Sequence, residues 1–179
     1  HAHRHLVVHR DIKPGNVLVD RDGRVVLVDF GISRLIEETR RDGDGADATG
    51  TYAFTPRFAA PEQRAGGAIS TATDLWGVGA LAHFILGDEA PVLAEGAEAV
   101  VPPTALPADL RAILSRCLQR DPAERYRSAD ALADDLQAFL DGRAVRARGN
   151  GLAYRAGRWL RRHPAVAALS AALVLSLLG

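Results

Sequence analysis

Two β-branched runs, Val17-Leu18-Val19-Asp20 and Arg24-Val25-Val26-Leu27-Val28, flank Arg21-Asp22-Gly23, and this constrains the chain more than any other feature. Asp-Gly between apolar runs signals a tight turn, because Gly takes a positive φ without steric cost. The runs are therefore expected to pair as antiparallel strands. A hairpin this short brings together the segments on either side of it, and those segments hold an uncommon set of groups: Asp11, Lys13 and Asn16 before it, Asp29 after it. Asp20 and Asp22 suit turn capping, since short acidic side chains bond nearby backbone. Capping does not account for the joint spacing of Asp11, Asn16 and Asp29.

Further along, residues 40–50 (RRDGDGADATG) are polar and glycine-rich and read as a loop with no core of its own. Residues 71–86 (TATDLWGVGALAHFIL) carry few charges, which predicts a buried central helix. The stretch 87–107, rich in Pro, Gly and Ala, reads as irregular. Helical periodicity resumes in ADLRAILSRCLQR, residues 108–120. A last amphipathic helix is expected from Ser128, its N-cap, to Leu140, with Gly142 just past its end. The single cysteine, Cys117, excludes an internal disulfide, fits a reducing environment and reads as a core residue. With 179 residues, 47% of them hydrophobic, the chain is long enough for one packed domain.

The order HRDIKPGN, then DFG, then APE resembles the C-terminal lobe of a eukaryotic-type (Hanks-type) protein kinase over residues 1–141. The fold this implies is mainly α, a helical lobe with a small β-hairpin at the catalytic and metal loops. The resemblance implies phosphoryl transfer, which asks a protein chiefly to align a hydroxyl with the γ-phosphate of ATP and to neutralise charge. Asp11 would accept or orient the hydroxyl proton, Lys13 would meet the transferred phosphate, and Thr55 would bridge the two beside the substrate. Asn16 and Asp29 offer the hard oxygens that suit Mg²⁺, with Mn²⁺ as a substitute. Lys13, Asn16, Leu18 and Asp29 would bind ATP, Leu18 beneath the adenine.

Lys13 is the only lysine among 22 basic residues, and a lysine two positions after the catalytic acid resembles the serine/threonine-specific class. Phe54 departs from the glycine usual before the bridging threonine. Arg10 resembles the mark of kinases switched on by activation-loop phosphorylation. Thr49 and Thr51 are then the candidate acceptors, with Thr39 and Tyr52 behind them; solvated loop hydroxyls are the plainer reading. Structural roles fall to His9 and Phe30 in a hydrophobic spine, to Gly31 in the DFG turn, and to Asp74 as anchor of the 9–11 backbone. Glu62 and Arg125 resemble a buried ion pair joining the activation segment to the later helices. The opening HAHRH reads as the end of a helix leading into the catalytic loop rather than as a metal site.

No Gly-x-Gly-x-x-Gly or Val-Ala-Ile-Lys stretch occurs, so the upper half of the ATP site is not in this sequence. With His1 first and no methionine anywhere, the chain is expected to be a fragment, inactive by itself.

Charge is unevenly placed. Residues 142–163 carry seven arginines and no acid, leaving 15 basic against 22 acidic residues before them. That segment reads as a basic juxtamembrane linker, and the uncharged stretch at 164–179 as the start of a transmembrane helix. Its apolar residues 165–179 would span only ~22 Å of the ~30 Å hydrocarbon core, so a truncated span is expected. The resemblance then extends to bacterial transmembrane serine/threonine kinases: single-pass, in the cell membrane, kinase domain cytoplasmic. Expected partners are ATP, protein substrates, the membrane and a second copy for trans-autophosphorylation, with no nucleic acid. A pseudokinase or signalling scaffold is the alternative, although a scaffold needs none of Asp11, Lys13, Asn16 and Asp29.

Overall fold

A computed structural model describes residue 3 and residues 7–30, 57–149 and 151–162. The hairpin forms as β1 (Val17–Val19) and β2 (Val25–Leu27), paired antiparallel in the register Val17 to Leu27, Leu18 to Val26 and Val19 to Val25. Each strand is shorter than its apolar run because Asp20 and Arg24 belong to the turn. Asp20 Oδ1 accepts the backbone N–H groups of Asp22 at 2.9 Å and Arg24 at 2.8 Å, and Gly23 takes φ 78°. The acidic cap and the glycine divide the labour that an Asp-Gly turn requires.

Helix α1 (Pro61–Arg64) is one turn, and α2 (Thr71–Gly87) is the central helix. Ser70 caps α2 by accepting from the Ala72 N–H at 3.2 Å, and Asp88 closes it in the left-handed conformation. Residues 73–77, 79 and 80 of α2 are buried, as its low charge predicts, whereas Val78, Ile85 and Leu86 are exposed, so the burial does not extend round the whole helix. Two glycines permit the close packing. A Cβ on Gly77 would stand 2.9 Å from the Cβ of Ile12, and one on Gly79 would stand 2.5 Å from the Cβ of Cys117. The first approach seats the loop at residues 9–16 directly on α2. The second seats α3 (Ala108–Cys117) on the opposite side.

Residues 88–107 form no helix, as expected, and are tied down by strand-like bonds: Val100 N–H to Leu118 O at 3.1 Å and Arg120 N–H to Glu98 O at 2.6 Å. Helix α4 (Ala129–Leu140) starts at Ser128, whose Oγ accepts from Ala131 N–H at 3.1 Å, and ends before Gly142 at φ 67°. The core gathers Leu75, Trp76, Ile113, Leu118, Tyr126 and Leu132 between α2, α3 and α4. Cys117 lies within it, and burial pushes its thiol pKa up to about 12, so the thiol is an apolar filler.

Packing continues past residue 141. Val145 belongs to the core, a 3₁₀ turn follows at Arg146–Arg148, and helix α5 spans Leu152–Arg162. Among the described residues no helix is long and apolar enough to cross a membrane. The stretch read as the start of a transmembrane helix, 164–179, lies outside the described residues.

Candidate active site

The loop before the hairpin is held from below by one carboxylate. Asp74, buried on α2, accepts the His9 N–H through Oδ2 and the Arg10 N–H through Oδ1, both at 2.8 Å. The His3 ring adds a third contact to Oδ2 at 2.8 Å. A carboxylate with no competing solvent makes a strong acceptor for two adjacent amides, and it fixes the backbone that carries Asp11. His9 Nε2 lies 2.9 Å from Val28 O. A carbonyl only accepts, so this nitrogen carries the proton, which leaves Nδ1 to accept from Asp11 N–H at 3.3 Å. The His9 ring also packs on Phe30, centroid to centroid 4.7 Å. One imidazole thus joins the loop before the hairpin to the strand and loop after it.

Asp11, Lys13 and Asn16 converge. Lys13 Nζ lies 2.8 Å from Asp11 Oδ2. Asn16 Nδ2 donates to the same oxygen at 3.1 Å and to Asp11 O at 2.8 Å. Asn16 is buried whereas Asp11 is half-exposed, so the amide positions the acid and the acid faces solvent. The amide nitrogen is occupied by Asp11, which leaves Asn16 Oδ1 as that side chain's acceptor. The Val28 N–H donates to Asn16 O at 2.9 Å and carries the following residue, Asp29, to the same end of the hairpin. Asp29 is exposed and holds φ 56°; Arg10 holds φ 70°. Left-handed backbone at two non-glycine residues is strained, and such strain persists where the surroundings enforce it, commonly at functional sites.

An Asn oxygen and an exposed carboxylate fit Mg²⁺, which keeps most of its shell as water and phosphate oxygens and needs only one or two protein ligands. Among the described residues no cluster of three or more His, Cys, Asp or Glu side chains could hold a metal by itself. Leu18 sits on β1 with its side chain largely exposed. Thr55, Thr49, Thr51 and Gly31, with Thr39, Tyr52 and Phe54, lie outside the described residues.

A second constellation fastens α1 to the lobe. Arg125, 1% exposed, meets Glu62 with two parallel bonds of 2.8 Å, Nη1 to Oε1 and Nη2 to Oε2. Its remaining donors reach Gln119 O at 2.9 Å, Ala72 O at 2.9 Å and Arg120 O at 3.1 Å. All five guanidinium N–H donors are thereby used. Thr73 Oγ1 donates to Glu62 Oε1 at 2.9 Å. Burial alone would raise the Glu62 pKa, but the hydrogen bonds and charge of Arg125 outweigh it and hold the carboxyl below its ordinary value.

The sequence reading missed Gln63. Its Nε2 donates to Arg10 O at 2.7 Å while its Oε1 accepts from Ala60 N–H at 3.0 Å, so α1 grips the loop that carries Asp11 directly. A neutral amide beside APE carries no periodic or charge signal. Its only clue is adjacency to that motif.

Comparison with known proteins identifies the family. The protein kinase domain family matches residues 1–136. The chain is 35% identical over 152 residues to the serine/threonine-protein kinase PknA of Mycobacterium tuberculosis, covering 79% of this chain and 34% of that protein. It is 33% identical over 159 residues to a "Probable serine/threonine-protein kinase" of Streptomyces coelicolor, covering 81% of the chain and 23% of that protein. Against PknB of Mycolicibacterium smegmatis it is 30% identical over 156 residues, 80% of the chain and 24% of that protein. The chain therefore matches between 23% and 34% of the length of these relatives. An acid, a lysine and an amide gathered on a loop that α2 anchors, with a family match over most of the chain, make it a member of the protein kinase domain family.

Proposed function

We propose that the chain is the C-terminal lobe of a bacterial protein serine/threonine kinase that moves the γ-phosphate of ATP to Ser or Thr hydroxyls. The convergence of Lys13 and Asn16 on Asp11 carries the reading. In the transfer the substrate hydroxyl oxygen forms a bond to the γ-phosphorus, the bond from that phosphorus to the bridging oxygen of ADP breaks, and the hydroxyl proton leaves toward Asp11. Asn16 holds Asp11 in place for that proton. Lys13, resting on Asp11, is within reach of a phosphate arriving beside the acid. Asn16 and Asp29 would hold Mg²⁺, which supplies charge neutralisation on the phosphates. Thr55 bridging Asp11 and Lys13, Leu18 beneath adenine, and Thr49 or Thr51 as activating phosphosites complete the reading. The names of the relatives support serine/threonine specificity.

The surroundings of the enzyme belong to the same proposal. The apolar stretch after residue 163 anchors the protein in the cell membrane, the lobe is cytoplasmic, and two copies phosphorylate each other. Residues 1–179 by themselves are inactive, because the phosphate-covering loop and strand lysine are not among them.

The test is incorporation of phosphate from ATP and Mg²⁺ by the full-length protein and by Asp11→Asn. A loss of at least about 10²-fold is expected, the usual scale for a positioned acid-base group. Equal incorporation would defeat the assignment of Asp11, and incorporation by residues 1–179 alone would defeat the predicted inactivity.

A further inference from the structure

The basic segment after the lobe is clamped to it. Asp135, on α4 and 2% exposed, accepts the Arg146 N–H at 2.7 Å, the Ala147 N–H at 2.9 Å and the Tyr126 hydroxyl at 2.8 Å. Val145 N–H donates to the Tyr154 hydroxyl at 3.1 Å, which ties α5 to the 3₁₀ turn. Asp109, buried at the start of α3, accepts from Arg148 at 2.9 Å and pairs with Arg158 as well. The Arg148 guanidinium also lies 4.6 Å over the Tyr154 ring. Two buried carboxylates and one tyrosine therefore fix where α5 sits on the lobe.

The clamp divides the faces of α5. Tyr154, Gly157 and Arg158 are half-buried on the lobe side. Leu152, Arg155, Ala156 and Trp159, spaced i, i+3, i+4, i+7, are exposed on the opposite side with Leu160 beside them. Leu152 is 81% exposed, Trp159 51% and Leu160 43%. This outward face combines two leucines and an indole with Arg155. Arg161 and Arg162 follow in the sequence, and an uncharged run begins at Ala165.

We propose that this face of α5 lies in the headgroup layer of an anionic bilayer, so that the Asp109 and Asp135 clamps hold the lobe in one orientation at the membrane. Charge complementarity selects the occupant: no acid occurs between Gly142 and His163, whereas anionic lipid attracts such a segment and Trp prefers the interface. A polyphosphate such as nucleic acid would leave Leu152 and Leu160 in water. The proposal deepens the membrane reading above, yet it concerns α5 and stands apart from whether residues after 163 span the bilayer.

The full chain is mixed with vesicles of phosphatidylcholine alone or with added phosphatidylglycerol, and Trp159 emission is followed with brominated acyl chains as quencher. Trp76, 2% exposed in the core, supplies the background, which Trp159→Phe isolates. The expected result is a blue shift and loss of most Trp159 emission in anionic vesicles only, abolished by Leu152→Glu with Leu160→Glu while Trp76 emission confirms folding. If the chain stays in solution with phosphatidylcholine yet Trp159 is quenched in anionic vesicles, the membrane span fails and the α5 proposal stands. If the chain is vesicle-bound and Trp159 is not quenched, or is quenched equally in both lipids, the proposal is overturned. Protection of Trp159 from soluble quencher by DNA, without lipid quenching, overturns it in favour of a polyanion.

Discussion

Arg125 and Glu62, 63 positions apart, share two parallel hydrogen bonds in a site where the guanidinium is almost wholly removed from water. The pair decides whether α1 stays on the lobe. Glu62→Ala leaves a buried cation with two donors unmatched, and removing one partner of such a pair costs about 3–5 kcal/mol. Urea unfolding of wild type and variant measures it; a loss below about 1 kcal/mol would show that solvent reaches the site.

The pH dependence has a definite sign. The folded-state pKa of Glu62 is held below its ordinary 4.5, so the folded protein binds fewer protons there than the unfolded chain. The stabilisation is fully present above that ordinary value and is lost as pH falls through the folded one. Acid titration of the urea midpoint is expected to show a shallower decline in Glu62→Gln, which does not titrate, than in wild type. Parallel declines would assign acid lability to other carboxylates.

Asp74→Asn offers one carbonyl oxygen where two N–H groups now find acceptors. One amide, of His9 or Arg10, then faces an NH₂ group, at a cost of about 1–3 kcal/mol. Amide hydrogen exchange at residues 9 and 10 should accelerate, and phosphate incorporation by the full-length protein should fall, while the α3 and α4 amides keep their protection. Uniform acceleration would instead indicate global destabilisation.

Asp135→Ala releases two backbone N–H groups and one phenol together. Exchange at Arg146 and Ala147 is expected to rise well above that in Tyr126→Phe, which removes only the hydroxyl. Equal exchange in the two variants would mean that packing of Val145 alone holds the segment.

What was legible in the sequence was local or periodic. Asp22-Gly23 announced the hairpin because a positive φ at Gly23 is a one-residue requirement. Ser128 and Gly142 marked the ends of α4 because caps answer to the nearest helical turn. The groups around Asp11 were legible as a motif, and their spacing survives as contact. Gln63 was hidden because a neutral amide bonding a carbonyl 53 positions away leaves no pattern. Asp135 was hidden for a different reason: its partners are backbone amides and a phenol, so no opposite charge in the sequence betrays its burial. The arginines between 142 and 163 read as a basic juxtamembrane linker, and composition gives no sign that the Arg146 and Ala147 amides are bonded to Asp135.

Arg10 is gripped twice. Its left-handed backbone turns its N–H to Asp74 on α2 and its carbonyl to Gln63 on α1, so the residue before Asp11 is suspended between two helices that Thr73 and Glu62 also tie to each other. Asp11 is thereby surveyed from two fixed stations rather than hung from one. A shift of α1 alone cannot pass unnoticed at Asp11, because the same residue must let go of one helix to follow the other.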